Sequence, residues 1–198
     1  MFSRKYPLTI ILMCSVLSCF SQQQAQAMEP ELWRKLQEGK AIALMRHAIA
    51  PGNGDPAEFT LGDCTTQRNL SKEGQAQASR IGELIKSAGI TQATVYSSQW
   101  CRCVDTANGL DFGTTETLSF LNSFYQNRSA ETQQTADLQQ WIEKRLENPE
   151  NATMLPAVLV SHQVNITGLT GVYPSSGELL LVGYKEAQLV VLGSVETK

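Results

Sequence analysis

Histidine is scarce in this sequence, with two residues in 198. Basic residues are short in another sense: 16 Lys and Arg stand against 19 Asp and Glu, for a net charge of −3. No run of Lys or Arg offsets that balance, which argues against nucleic acid or an anionic membrane as the main partner. Any phosphate site must therefore be assembled locally, from single residues that the fold brings together. The sequence has no Gly-x-Ser-x-Gly elbow and no Gly-rich phosphate loop, so the signals of a serine hydrolase and of a P-loop nucleotide site are missing. Repeats, low-complexity tracts and an interdomain linker are also absent. Cys101 and Cys103, even with a histidine, make a poor zinc site, because a two-residue spacing on a helix does not present both sulfurs to one ion. No metal and no cofactor is expected.

A long leader-like apolar stretch occurs once, at the N terminus. Arg4 and Lys5 precede the run Leu8 to Leu17, and Ala25-Gln26-Ala27 supplies the small residues of a cleavage site. A bilayer-spanning helix needs about 20 apolar residues, and Gln22-Gln23-Gln24 interrupts the run too early. Residues 1–27 thus read as a signal peptide, which implies export to the periplasm or secretion. Val16-Leu17-Ser18-Cys19 is a weaker match to a lipoprotein box. Residues 28–198 suffice for one domain with a proper core and are too few for two. Without Arg4 and Lys5 they hold 14 basic and 19 acidic residues, a net charge of −5. Cys14 and Cys19 leave with the leader, so Cys64, Cys101 and Cys103 remain, an odd set that suggests one disulfide and one thiol. On a helix Cys101 and Cys103 point to different faces. Cys64 is then the shared partner, with Cys101 its preferred mate.

Along the rest of the chain, apolar runs of strand length alternate with amphipathic segments. Residues 29–37 read as a short helix stopped by Gly39, residues 40–45 as a strand, and residues 50–67 as a long loop whose length marks it as functional. Ser71 is the N-cap of a helix whose buried face is Ala78, Ile81, Leu84 and Ile85, ending at Gly89. A strand at residues 94–96 leads into a helix carrying Arg102. A helix follows at residues 132–146, then a strand at residues 157–161 and a helix at about residues 165–169. Residues 178–182 and 188–192 read as an antiparallel pair. This alternation predicts an α/β fold, with a mainly parallel central sheet covered by helices on both faces.

Three strand-to-helix junctions carry chemistry. The buried strand Ala41-Ile42-Ala43-Leu44-Met45 ends in Arg46-His47, the next strand is followed by Arg102, and Ala157-Val158-Leu159-Val160-Ser161 ends in His162. In an open α/β sheet such junctions share one edge, so two arginines and both histidines can converge. Arginine suits bidentate contact with phosphoryl oxygens. Neighbouring cations keep an imidazole neutral, with a lone pair available for attack. The helix after His162 adds backbone N–H groups and the positive end of its dipole. Together these describe a pocket for a phosphate dianion.

At this point the sequence resembles the histidine phosphatase superfamily, with its phosphoglycerate-mutase-like three-layer sandwich. Leu44-Met45-Arg46-His47-Ala48 is similar to the family's Arg-His-Gly signature. Ser97-Ser98 with Arg102 and Thr106-Ala107 resembles its second block, and Val160 to Asn165 its third. The resemblance spans residues 40–193 and implies a metal-independent phosphomonoesterase. In it His47 is phosphorylated, Arg46 and Arg102 bind the phosphoryl group, and His162 stabilises the transferring group. Asn53, six residues after His47, falls where many members contact phosphate. The Ala50-to-Pro56 loop and the Cys64-to-Leu70 stretch resemble small exported bacterial members proposed to act on phosphate groups of lipopolysaccharide core sugars. The implied partner is a phosphorylated small molecule or phosphosugar; the alternative is a non-catalytic phosphate-binding or sensing protein on the same scaffold. The family's two usual proton donors are missing, because Ser123 and Gln163 occupy their places. By elimination Asp55 is the expected general acid, with Glu58 and Asp63 as substitutes.

Mass spectrometry of the exported protein is expected to place its N terminus at Met28. A start at a lipidated Cys19 would replace the signal-peptide reading with the lipoprotein one.

Overall fold

The structure, a computed structural model, describes residues 29–147, 154–186 and 188–197. The expected leader, its cleavage site and the lipoprotein box lie outside the described residues.

Strand β1 (Ile42–Arg46) shows why its sequence is a continuous apolar run rather than an alternating one. Ala43 and Met45 enter one hydrophobic cluster, and Ile42 and Leu44 enter another on the opposite face. A strand covered on both sides buries every residue. Strands β4 (Ala157–Ser161) and β5 (Leu179–Lys185) divide in the same way, with Val158, Val160, Leu179 and Leu181 on one side and Leu159, Leu180 and Val182 on the other. With β2 (Thr94–Ser97), β3 (Thr115–Thr117) and β6 (Gln188–Val195), they form one sheet in the order β3-β2-β4-β1-β5-β6. Strands β3, β2, β4 and β1 are parallel, and β5 runs antiparallel to both β1 and β6.

Helices close both faces. Helix α1 (residues 29–37) packs Leu32, Trp33 and Leu36 on the first face. It is joined there by α2 (Lys72–Ser87) through Ile81 and Ile85 and by α3 (Cys101–Gly109) through Cys103 and Ala107. The second face is covered by Leu138 and Ile142 of α4 (Glu131–Glu147) and Ile166 of α5 (Gln163–Thr170). The three-layer arrangement expected from the sequence is therefore observed. Two local expectations differ. Strand β3 is absent from the sequence reading because Thr-Glu-Thr is short and polar, and it exists only by pairing with β2 at the sheet edge. Helix α5 begins at Gln163 rather than near residue 165, with His162 itself in the N-cap position.

Helix α2 starts as expected, Ser71 Oγ accepting from the Gly74 N–H at 3.1 Å. Its glycines mark close backbone crossings. A Cβ on Gly74 would lie 2.0 Å from the Ile49 carbonyl oxygen, and one on Gly82 would lie 2.2 Å from that of Leu110. Alanine is the better helix former by about 1 kcal/mol, yet Gly82→Ala is expected to lower stability by about 1–3 kcal/mol, the usual cost of overpacking. Chemical denaturation checks the sign, and a variant as stable as the parent would show that α2 and α3 separate freely.

Candidate active site

The three consecutive strands β2, β4 and β1 are parallel, so their C-terminal ends open on one edge of the sheet. Two backbone bonds extend the ladder past the strands: His47 N–H donates to Ser161 O at 3.0 Å, and Ser98 N–H donates to Val160 O at 2.9 Å. They fix His47, Ser98 and His162 side by side, with the imidazole centroids 5.6 Å apart in an edge-to-face arrangement. A cleft of about 290 Å³ lies over them. Arg46, His47, Asn53, Asp55, Arg102 and His162 all line it, so the structure brings together six residues named from the sequence.

His47 is buried, and its Nδ1 lies 2.8 Å from the Ala48 carbonyl oxygen. A carbonyl only accepts, so Nδ1 carries the proton and Nε2 keeps its lone pair. Burial, with the charges of Arg102, Arg68 and Arg46, pushes the His47 pKa down to about 3. The ring is neutral at any ordinary pH, the state a nucleophile requires. His162 is buried too, and burial followed by Arg102 and His47 lowers its pKa well below the usual value. Arg102 Nη2 lies 3.3 Å from its Nδ1 and can only donate, so Nδ1 accepts. The Nε2–H then faces Ser98 Oγ at 2.9 Å, and Ser98 Oγ donates to Asn122 Oδ1 at 3.2 Å. Cys103 Sγ lies 3.5 Å from the same Nε2, and burial pushes this thiol up to about 12, which leaves it inert.

Arg102 is held on its other side by Asp55. Its Nη1 donates to Asp55 Oδ1 at 2.7 Å, and both side chains are only 3% exposed. Asp55 Oδ1 also accepts from the Arg68 N–H at 3.1 Å, and Oδ2 accepts from Trp100 Nε1 at 3.0 Å. Burial alone would raise the carboxyl's pKa. The Arg102 hydrogen bond and charge, with the Arg68 N–H and the indole, outweigh it and hold Asp55 below the usual carboxylate range. Asp55 thus lies at the site as expected, as a carboxylate that holds Arg102, a contact it would have to give up to act as the expected proton donor. The substitutes do not replace it: Asp63 is exposed and caps a short turn by accepting from Thr65, and Glu58 is exposed and lies outside the cleft lining.

The loop that supplies Asn53, Asp55 and Arg68 is fastened to the start of α3. Cys64 and Cys101 form a disulfide, as preferred from the sequence, and Cys103 is free and buried. Gln67 Oε1 accepts from the Cys101 N–H at 3.0 Å. Four lining residues did not stand out from the sequence: Arg68, Tyr125, Arg128 and Tyr173. Arg68 donates its Nε to Gly54 O at 2.8 Å and Nη1 to Ala50 O, which folds the loop back over the cleft. Its signal was faint, a lone arginine closing a Gly-rich loop. Nothing local marked the others.

Residues 42–125 match the sequence profile of the histidine phosphatase superfamily (branch 1). Over that segment the chain is similar to the histidine phosphatase superfamily. The matched segment carries Arg46, His47 and Arg102, and His162 lies beyond it. The fold is similar to that of the protein histidine phosphatase SixA in a tungstate complex, at 16% identity and TM-score 0.54, covering 79% of this chain and 97% of that one. It is also similar to a phosphoserine phosphatase variant from Entamoeba histolytica bound to phosphoserine (17% identity, TM-score 0.55, covering 80% and 98%). A mycobacterial glucosyl-3-phosphoglycerate phosphatase matches at 16% identity and TM-score 0.51, covering 72% and 89%. No curated protein sequence matches the chain.

The neutral burial of His47 links stability to pH. An unfolded histidine titrates near 6.5 and the folded one near 3. The stabilising contribution is therefore complete above pH 6.5 and is lost as pH falls through that window, by about 1.4 kcal/mol per pH unit. Unfolding free energies measured from pH 7 to pH 4 are expected to fall more steeply for the wild type than for His47→Asn. Parallel curves would show that His47 titrates normally in the folded protein.

Proposed function

We propose that this chain is an exported phosphomonoesterase that works through a phosphohistidine on His47. The observation that carries the reading is the state of His47: Nδ1 tied to the Ala48 carbonyl, Nε2 unprotonated, and the ring neutral among Arg46, Arg68 and Arg102. The Nε groups of Arg46 and Arg102 are buried without a protein acceptor, as suits donors reserved for phosphoryl oxygens. Gln163 and Val164, the first turn of α5, also line the cleft and add the positive end of the helix. The phosphatase names of the three similar structures support the same chemistry.

In the first step the Nε2 lone pair attacks phosphorus in line while the ester P–O bond breaks and its electron pair leaves with the oxygen. Arg46, Arg68 and Arg102 balance the charge on the equatorial oxygens. In the second, water attacks phosphorus, the P–N bond breaks, and inorganic phosphate leaves with His47 neutral again. Asn53, on the open side of the cleft, is placed to contact the phosphoryl group, and His162 holds Arg102 Nη2 towards it. The leader-like sequence of residues 1–27 supports export, and no helix among the described residues is long and apolar enough to cross a membrane. A lipopolysaccharide phosphosugar would leave as an alkoxide that calls for a proton donor. The cleft gives that finer reading no support.

Samples quenched in alkaline detergent are expected to contain acid-labile phosphoenzyme, absent from His47→Ala together with essentially all turnover. Chelators are expected to leave wild-type turnover unchanged. Activity lost to chelator and restored by zinc would overturn the mechanism, and phosphate binding without phosphoenzyme would favour a non-catalytic binding protein.

A further inference from the structure

Granted that reading, the side chains around the cleft limit what can leave. Asp55 is the one carboxylate among the described lining residues, and it is spent on Arg102, Trp100 and the Arg68 backbone. Protonating it would remove the counter-charge from a guanidinium that is itself buried, a strongly unfavourable change. Ser123 and Gln163 line the cleft where an acid would be useful, but a hydroxyl and an amide do not protonate an alkoxide at neutral pH. Both imidazoles are neutral, and His162 has each ring nitrogen engaged.

The cleft offers cations and aromatic surface instead. Arg128 lines it at the rim, packed over the Phe124 ring at 5.7 Å, where its charge can face a departing anion. Its partner Glu131 is an exposed neighbour at 3.5 Å, an arrangement too solvated to neutralise it. Tyr125 and Tyr173 line the same cleft and are 51% and 74% exposed, so both rings are open to a molecule that enters it. With Val164 they are the apolar surface available to the part of a substrate beyond its phosphorus.

We propose that the site is built for aryl phosphates, whose phenolate leaves as an anion without a proton from the protein, its ring against Tyr125 and Tyr173 and its charge facing Arg128. The balance is simple. The His47 Nε2–P bond forms, the P–O(aryl) bond breaks, the electron pair stays on the phenolate oxygen, and solvent supplies a proton after release. Asp55 acts as a positioning residue through Arg102 and does not touch the leaving oxygen.

The test measures formation of phosphoenzyme by rapid alkaline quench, with a series of substituted phenyl phosphates, acetyl phosphate and glycerol phosphate. General acid catalysis is typically worth ~10²–10⁴-fold, so a site without it is expected to form phosphoenzyme at least ~100-fold more slowly from glycerol phosphate than from p-nitrophenyl phosphate. Within the phenyl series the rate is expected to fall as the phenol becomes less acidic. Asp55→Asn is expected to slow all substrates by a common factor. Tyr125→Ala and Tyr173→Ala are expected to raise KM for phenyl phosphates and leave that for acetyl phosphate unchanged. A selective loss of glycerol phosphate turnover in Asp55→Asn, Tyr125→Phe or Tyr173→Phe would reveal a proton donor and overturn the proposal. So would equal rates for glycerol and p-nitrophenyl phosphate in the wild type, a comparison that needs no variant to fold. Ring-independent KM values would overturn the aryl assignment. Absence of phosphoenzyme with every substrate would instead overturn the phosphatase reading itself.

Discussion

The site depends on keeping one buried guanidinium charged and aimed. Arg102 is almost wholly withdrawn from water, and an arginine cannot relieve that cost by losing its proton. Asp55 and the Arg68 carbonyl accept from its Nη1, and His162 accepts from its Nη2. Each side-chain contact sets the state of the partner as well. Asp55 must stay ionised, and His162 must present an unprotonated Nδ1, which turns its Nε2–H towards Ser98. The states of Asp55 and His162 therefore follow from the electrostatic demand of the arginine.

That clamp requires a surface loop to be as well placed as a strand. Asp55 approaches Arg102 from a segment 47 residues earlier, and the loop gains its position from its main attachments to the start of α3. These are the Cys64–Cys101 disulfide, the Gln67 contact to the Cys101 backbone, and the Asp55 contacts to Trp100 and Arg102. Helix α3 has no side-chain cap of its own, so Gln67 satisfies a backbone donor that would otherwise be orphaned. Stability and function share these contacts: what caps the helix also closes the cleft.

The same economy narrows the chemistry. Three arginines around a neutral imidazole favour an anionic substrate and suppress protonation of His47. They also use up the nearest carboxylate. A site so strongly organised to receive a phosphoryl group has little left with which to protonate a leaving alkoxide, and it places that demand on the substrate.

The fold and half of the site were legible in the sequence because their signals are local. Strands buried on both faces must be continuous apolar runs, and the residues that end them must emerge at the sheet edge, so Ile42–Arg46 and Ala157–Ser161 announced both themselves and the places of His47 and His162. Ser71 and Gly89 bounded α2 by capping rules that act within one turn. Asp55 was placed at the site from the sequence, but its protonation state was not legible there, because it depends on Arg102, Trp100 and Arg68, which only chain folding brings to it. Arg68, Tyr125, Arg128 and Tyr173 belong to no periodic pattern, and β3 exists only by its pairing. By itself the sequence determined which elements form and which chemical groups stand at their ends, since hydrophobic periodicity and capping act over a few residues. Only the tertiary structure decided which ring nitrogen is free and which carboxylate is spent, since a proton's place is set by the partner within hydrogen-bond reach and not by neighbours along the chain.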